Sequence, residues 1–192
     1  MDTSRAQIRP VQLRLNLVLP LDDSFDTFTA ARVAKEGGAV VVLDPAPART
    51  LADMLLRSVD YVTPNESELS VLTGGAPQAT LRRGEAVTRA RQLIARGVRR
   101  VLVKMGRQGA LLVTDTTEHL CPAFPVDAID TTAAGDAFNA GFAFALERGL
   151  GEPEAVRFAA ATGALCATRK GAQPSMPTRE AVAALLAGGP AS

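Results

Sequence analysis

The sequence predicts an α/β fold in which a parallel sheet is covered by helices on both faces. Three observations point there. Apolar, β-branched runs of strand length, such as AVVVL at 39–43 and VLVK at 101–104, alternate with helix-length stretches, the pattern of strand–helix–strand units. Those runs lack apolar–polar alternation, as expected of strands buried on both sides. The chain has 192 residues, 47% apolar and 21% charged, which suits a single globular domain over 1–192 and argues against disorder.

Taken in order, residues 25–35 (FDTFTAARVAK) read as a helix closed by Gly37 and Gly38, and 39–43 as a buried strand stopped by Asp44 and Pro45. Residues 51–57 read as helix, 59–62 as strand, and 66–72 as a short helix ended by Gly74 and Gly75. A helix at 83–96 precedes the strand at 101–104 and a hairpin-like segment at 110–114. Beyond Thr132 the chain becomes helical. Residues 136–148 carry Phe138, Phe142 and Leu146 at i, i+4 and i+8, and Gly149 or Gly151 closes that helix. Phe138, Phe142 and Phe144 therefore read as core. Pro153 suits the first turn of a helix running to about Thr168, and Pro177-Thr178 opens a last one reaching Leu186.

Residues 1–18 receive no assignment. The apolar run at 15–21 follows Arg5, Arg9 and Arg14, but Asn16 and Pro20 interrupt it. Asp22 and Asp23 stop it without a small-residue cleavage site, which argues against a secretory leader. No stretch approaches the roughly 18 apolar residues of a membrane span. The expected location is the cytoplasm, and two cysteines, Cys121 and Cys166, far apart in the chain, suit its reducing conditions.

Charge and composition exclude further classes. Lys and Arg number 21 against 20 Asp and Glu, a net charge of +1, so no basic excess exists to neutralise a nucleic acid. Aromatics are 4% with no Trp, leaving little to stack on bases. His119 is the single histidine and the cysteines form no CxxC pair, which excludes a zinc cluster. His119 reads as an exposed hairpin residue. The chain contains no P-loop, no G-x-G-x-x-G after a strand and no G-x-S-x-G elbow.

The strongest local signal is DTTAAGD at 130–136, followed at once by the apolar helix. Ala133, Ala134 and Gly135 carry no side chain that would keep an anion from the backbone. Their amides open a helix, where unpaired N–H groups and the positive dipole end attract phosphate. Asp136 beside them can take a proton from an attacking hydroxyl, so the pair suits hydroxyl phosphorylation. An ordinary Asp after a tight turn is the alternative reading.

DTTAAGDAFNAGFA at 130–143 resembles the carboxyl-terminal signature of the PfkB family, the ribokinase-like sugar kinases. DPAPAR at 44–49, TPNESE at 63–68, VKMGRQG at 103–109 and TRKGAQPS at 168–175 resemble its other blocks in the same order. The likeness runs over about 24–186. It implies a ribokinase-like three-layer α/β/α sandwich with a mostly parallel sheet, lacking the amino-terminal strands and β lid of longer members. It also implies ATP-dependent phosphorylation of a sugar hydroxyl; the PAPAR, TPNE and TRKGAQPS wording most resembles members that convert D-ribose to D-ribose 5-phosphate.

By that resemblance Asp136 is the base, and Ala133, Ala134 and Gly135 form the anion hole. Asn65 and Glu68 match an N-x-x-E motif that organises Mg²⁺ and its waters, a role that suits a hard cation needing few protein oxygens. Lys104, Met105, Gly106, Arg107, Gln108 and Gly109 correspond to the strand-end loop beside the nucleotide. Lys104 also resembles sugar-acid kinases, which widens the substrate class; a solvated strand end is its other reading. A K⁺ activator is implied between Asp130 and Thr132 on one side and Cys166, Arg169, Gly171 and Ser175 on the other, mostly through carbonyls. Cys166 reads equally well as a buried small helix residue.

The sugar-gripping motifs of longer members are not found here, and Leu21, with Asp22 next to it, stands near the place of a sugar-contacting Glu. The alternative function is therefore a catalytically impaired nucleotide-binding remnant, or a truncated half of a fructokinase or 2-keto-3-deoxygluconate kinase type. The expected partners are ATP and a small sugar, with a second copy or a separately encoded amino-terminal half as the candidate protein partner.

Overall fold

The computed structural model describes residues 16–20 and 26–188. Six strands form one sheet in the order β1 to β6: Asn16–Pro20, Val40–Asp44, Tyr61–Val62, Arg100–Lys104, Ala110–Val113 and Glu118–Cys121. β1 to β4 run parallel, while β4–β5–β6 is an antiparallel meander. The helices are α1 (Thr27–Glu36), α2 (Asp53–Arg57), α3 (Glu66–Leu72), α4 (Arg83–Ala95), α5 (Ala134–Glu147), α6 (Glu152–Ala167) and α7 (Arg179–Leu186).

Alternate residues of each strand separate the two buried layers, because successive side chains point to opposite faces. Val41, Leu43, Val62, Val101, Val103, Leu111 and Val113 pack with α1 to α4. Val42, Tyr61, Leu102, Ala110 and Leu112 pack instead against Phe138, Phe142, Ala145, Val156 and Ala159 of α5 and α6. Phe142 is fully buried, and Tyr61 meets its ring edge-on at 5.0 Å; such a pair adds about 0.5–1.5 kcal/mol beyond area burial. Phe138 shares this core, whereas Phe144 is half-buried and stacks on Phe158.

Helices α5 and α6 approach closely because small residues line their contact. A β-carbon at Gly141 would stand 2.6 Å from Thr162 Oγ1, and one at Gly163 would stand 3.1 Å from the Ala134 carbonyl oxygen.

Several boundaries differ from the sequence reading, as where α2 begins at Asp53 and β3 spans only Tyr61–Val62, and three differences bear on the sheet edges and the site. Asn16–Pro20, partly within the unassigned 1–18, forms β1 in register with β2. β6 pairs with β5 although half of it is polar; His119 lies in it and is exposed. α5 begins at Ala134 rather than Asp136, because Ala133 adopts the left-handed conformation (φ 59°) and turns the chain into the helix. Leu21, Asp22 and the remainder of 1–15 lie outside the described residues. No helix among those described is long and apolar enough to cross a membrane.

Candidate active site

Parallel strands place their carboxyl ends together, the usual ligand side of such sheets. Asp44 ends β2, Lys104 ends β4, and the segment after β3 leads into α3 through Asn65, which bridges Lys104 in parallel fashion. The first turn of α5 comes to the same end: Lys104 Nζ lies 3.5 Å from where a Gly135 β-carbon would be. Residues distant in sequence thus meet at one helix N-terminus.

That terminus has no side-chain cap. Ala133 to Gly135 leave it open, and Asp136 in the first turn is exposed. An anion resting there would meet the Ala133 and Gly135 amides and the positive end of a 14-residue helix, while Ala134 N already donates to the Thr131 carbonyl at 3.1 Å.

Asn65 and Glu68 form a capping box. Asn65 Oδ1 accepts from Glu68 N at 2.8 Å and Glu68 Oε2 accepts from Asn65 N at 2.7 Å. The N-x-x-E spacing is itself the capping-box pattern, a reading not drawn from the sequence. Burial pushes the Glu68 carboxyl up and nearby Asp44 adds to this, against the Asn65 amide and Lys104, which pull it down. The capping box engages Glu68 through Oε2. Among the described residues no three His, Cys, Asp or Glu side chains could hold a metal, so the oxygen donors fit Mg²⁺ only as an ion retaining waters and phosphate ligands.

The 105–109 loop is shaped by glycine. Gly109 has φ 102°, and Met105 N donates to its carbonyl at 2.8 Å. Met105 is buried in the core, and the Gln108 amide donates to the Leu81 carbonyl at 3.0 Å and to Glu66 Oε1 at 3.3 Å. These two side chains support the loop from behind, while Gly106 and Arg107 are exposed. Lys104 is not a solvated strand end: its side chain is 15% exposed and its ammonium faces Asp44.

Asp130 joins two loops. Its Oδ1 accepts from Thr132 N and its Oδ2 from Gly171 N, both at 2.9 Å. The Gly171 amide, then Thr132, hold its carboxyl down to about 2. Cys166 Sγ lies 3.1 Å from Ser175 Oγ and 3.8 Å from the Thr132 carbonyl oxygen, and Ser175 Oγ donates to the Ala172 carbonyl at 2.6 Å. Asp130, Thr132, Cys166, Gly171 and Ser175 are therefore brought together, with Arg169 exposed on the same loop. Among the described residues the Thr132 carbonyl has only a distant thiol as partner there, which leaves lone pairs of a type suited to a hard cation.

Residues 7–179 match the profile of the pfkB family carbohydrate kinases. The chain belongs to that family. It is 42% identical to a Haemophilus influenzae ribokinase over 151 residues, 79% of this chain and 48% of that one. It is 41% identical to an Arabidopsis thaliana ribokinase over 161 residues, 81% of this chain and 41% of the other. The chain spans about half the length of such curated relatives or less. A Thermotoga maritima ribokinase superposes with a TM-score of 0.78 at 39% identity, covering 90% of this chain and 56% of its own. The Arabidopsis thaliana ribokinase complexed with ribose and ATP superposes with a TM-score of 0.82 at 36% identity, covering 89% and 55%. The three-layer ribokinase-like fold expected from the motifs is thus the family's fold.

Proposed function

We propose that this chain carries the phosphotransfer site of an ATP-dependent sugar kinase whose acceptor is D-ribose and whose product is D-ribose 5-phosphate. The observation that carries the proposal is the first turn of α5, uncapped by any side chain, where the Ala133 and Gly135 amides adjoin the exposed carboxylate of Asp136 while Ala134 N donates to the Thr131 carbonyl. Supporting it are the relatives near 40% identity, which are ribokinases, and the solved ribokinase that holds ribose and ATP.

In the proposed step Asp136 accepts the proton of the sugar hydroxyl as its oxygen bonds to the γ-phosphorus. The bond from that phosphorus to the β–γ bridging oxygen breaks, and ADP leaves. Amides of the 133–135 turn stabilise charge on the transferring oxygens, the kind of preorganised donor that lowers such barriers. Asn65 and Glu68 would orient the waters of Mg²⁺, which supplies charge neutralisation at the phosphates. Carbonyls of the loops joined by Asp130 would hold K⁺. The reaction belongs in the cytoplasm, where ATP is abundant and the two buried thiols stay reduced.

The test is ribose-dependent ADP release with mass-spectrometric detection of ribose 5-phosphate. Asp136→Asn should lower turnover at least about 100-fold, the range expected of a general base, with ATP affinity retained. Equal turnover in the variant would remove Asp136 from the role.

A further inference from the structure

We infer that Lys104 is the cationic arm of the α5 anion site, contacting the terminal phosphoryl group of a bound nucleoside triphosphate, and that Asp44, held by Asn139, is the residue that positions it. This rests on the phosphotransfer reading above, narrows the place of Lys104 beside the nucleotide to one contact, and gives Asp44 and Asn139 a role that reading leaves unassigned.

Lys104 and Asp44 end neighbouring parts of the sheet with side chains 15% and 13% exposed, and Nζ stands 3.4 Å from Oδ1. That is the outer limit of a hydrogen bond. An ammonium has three donors, so a largely desolvated cation keeps donors in reserve. The second Asp44 oxygen accepts from Asn139 Nδ2 at 2.7 Å. Asn139 is 2% exposed and its Oδ1 has no partner among the described residues. Turning that amide over would set its oxygen against the carboxylate, so Asp44 fixes its orientation even though the other end goes unsatisfied.

The three residues link α5 through β2 to β4, across 95 and 60 positions of sequence. Their effect is to park the ammonium 3.5 Å from the missing Gly135 β-carbon, at the first turn of α5. A charged donor beside bare amides makes shorter and stronger bonds to phosphate than the amides alone. The long contact to Asp44 is weak enough to yield when a phosphate oxygen arrives, yet it keeps the lysine extended beforehand. Asp44 and Asn139 are positioning residues; only Lys104 touches the transferred group.

The experiment is calorimetric titration of the full chain with ATP and with ADP, comparing the unaltered protein with Lys104→Met, Asp44→Asn and the double variant. Lys104→Met should weaken ATP binding at least tenfold and leave ADP within twofold, because ADP lacks the group contacted. Asp44→Asn should lower the ATP:ADP preference severalfold and add nothing when Lys104 is already Met. Lys104→Gln, which keeps the stem without the charge, replaces the Met variant if that one fails to fold. An unchanged ATP:ADP ratio, or equal losses for both nucleotides, overturns the assignment of Lys104. Additive losses overturn the positioning role of Asp44. Failure of the unaltered chain to bind ATP at all overturns the phosphotransfer reading, and this inference with it.

Discussion

Gly109→Ala tests whether the 105–109 loop is held by close backbone approach. Gly109 has φ 102° and ψ −134°, a region that costs about 1–3 kcal/mol for a residue with a side chain. Its β-carbon would stand 2.0 Å from the Cys121 carbonyl oxygen and 2.7 Å from both Ala123 N and the Pro122 carbonyl carbon. All three are backbone atoms at the end of β6, so no rotamer change relieves the clash. The strand or the loop must shift, and overpacking of this kind costs about 1–3 kcal/mol more. The sum, about 2–6 kcal/mol, is a large share of the roughly 5–15 kcal/mol that stabilises a typical domain. Urea unfolding followed by circular dichroism should show a lower midpoint with an unchanged slope. A loss below about 1 kcal/mol, less than either contribution implies, with ATP affinity intact, would refute the reasoning.

Asp130 and Asn65 give two further outcomes. The Asp130 carboxyl is held near 2, below its ordinary 3.8, so on acidification the unfolded chain takes up this proton first. Its stabilisation is complete above the ordinary value and is lost as pH falls through about 2. Unfolding midpoints of the unaltered chain and Asp130→Asn should therefore converge as pH is lowered from neutral; a gap independent of pH would contradict this. Asn65→Ala removes the cap on α3 and should cost about 0.5–2 kcal/mol in urea unfolding. The same variant should weaken nucleotide binding with Mg²⁺ present and leave Mg²⁺-free binding unchanged, measured by calorimetry in both buffers.

Much of this architecture was legible in the chain because strands buried on both faces are written as unbroken apolar runs, and VVVL at 40–43 is one. β6 was not, since a four-residue edge with Glu118 and His119 exposed carries little apolar signal and depends on β5 for its pairing. Asn16–Pro20 was obscured by arginines upstream that mimic the start of a leader. At the site, DTTAAGD carries the strongest signal because its amides and carboxylate are adjacent in sequence. The Asp44–Lys104–Asn139 chain could not be read, as it exists only once β2, β3 and β4 lie side by side. The N-x-x-E motif points to ligands through its resemblance, and the structure engages the same atoms in a capping box.

The seating of α6 on α5 reaches beyond packing. Gly163 lies in the buried interior of a helix pair, yet its missing side chain leaves room for the peptide group of Ala134, whose carbonyl stands 3.1 Å from the vacant position. The orientation of the Ala134 peptide at the head of α5 is thus set in part by the seating of the neighbouring helix. Drift in the small residues of α6 is therefore a route by which the first turn of α5 could be reshaped while every residue of that turn stays the same.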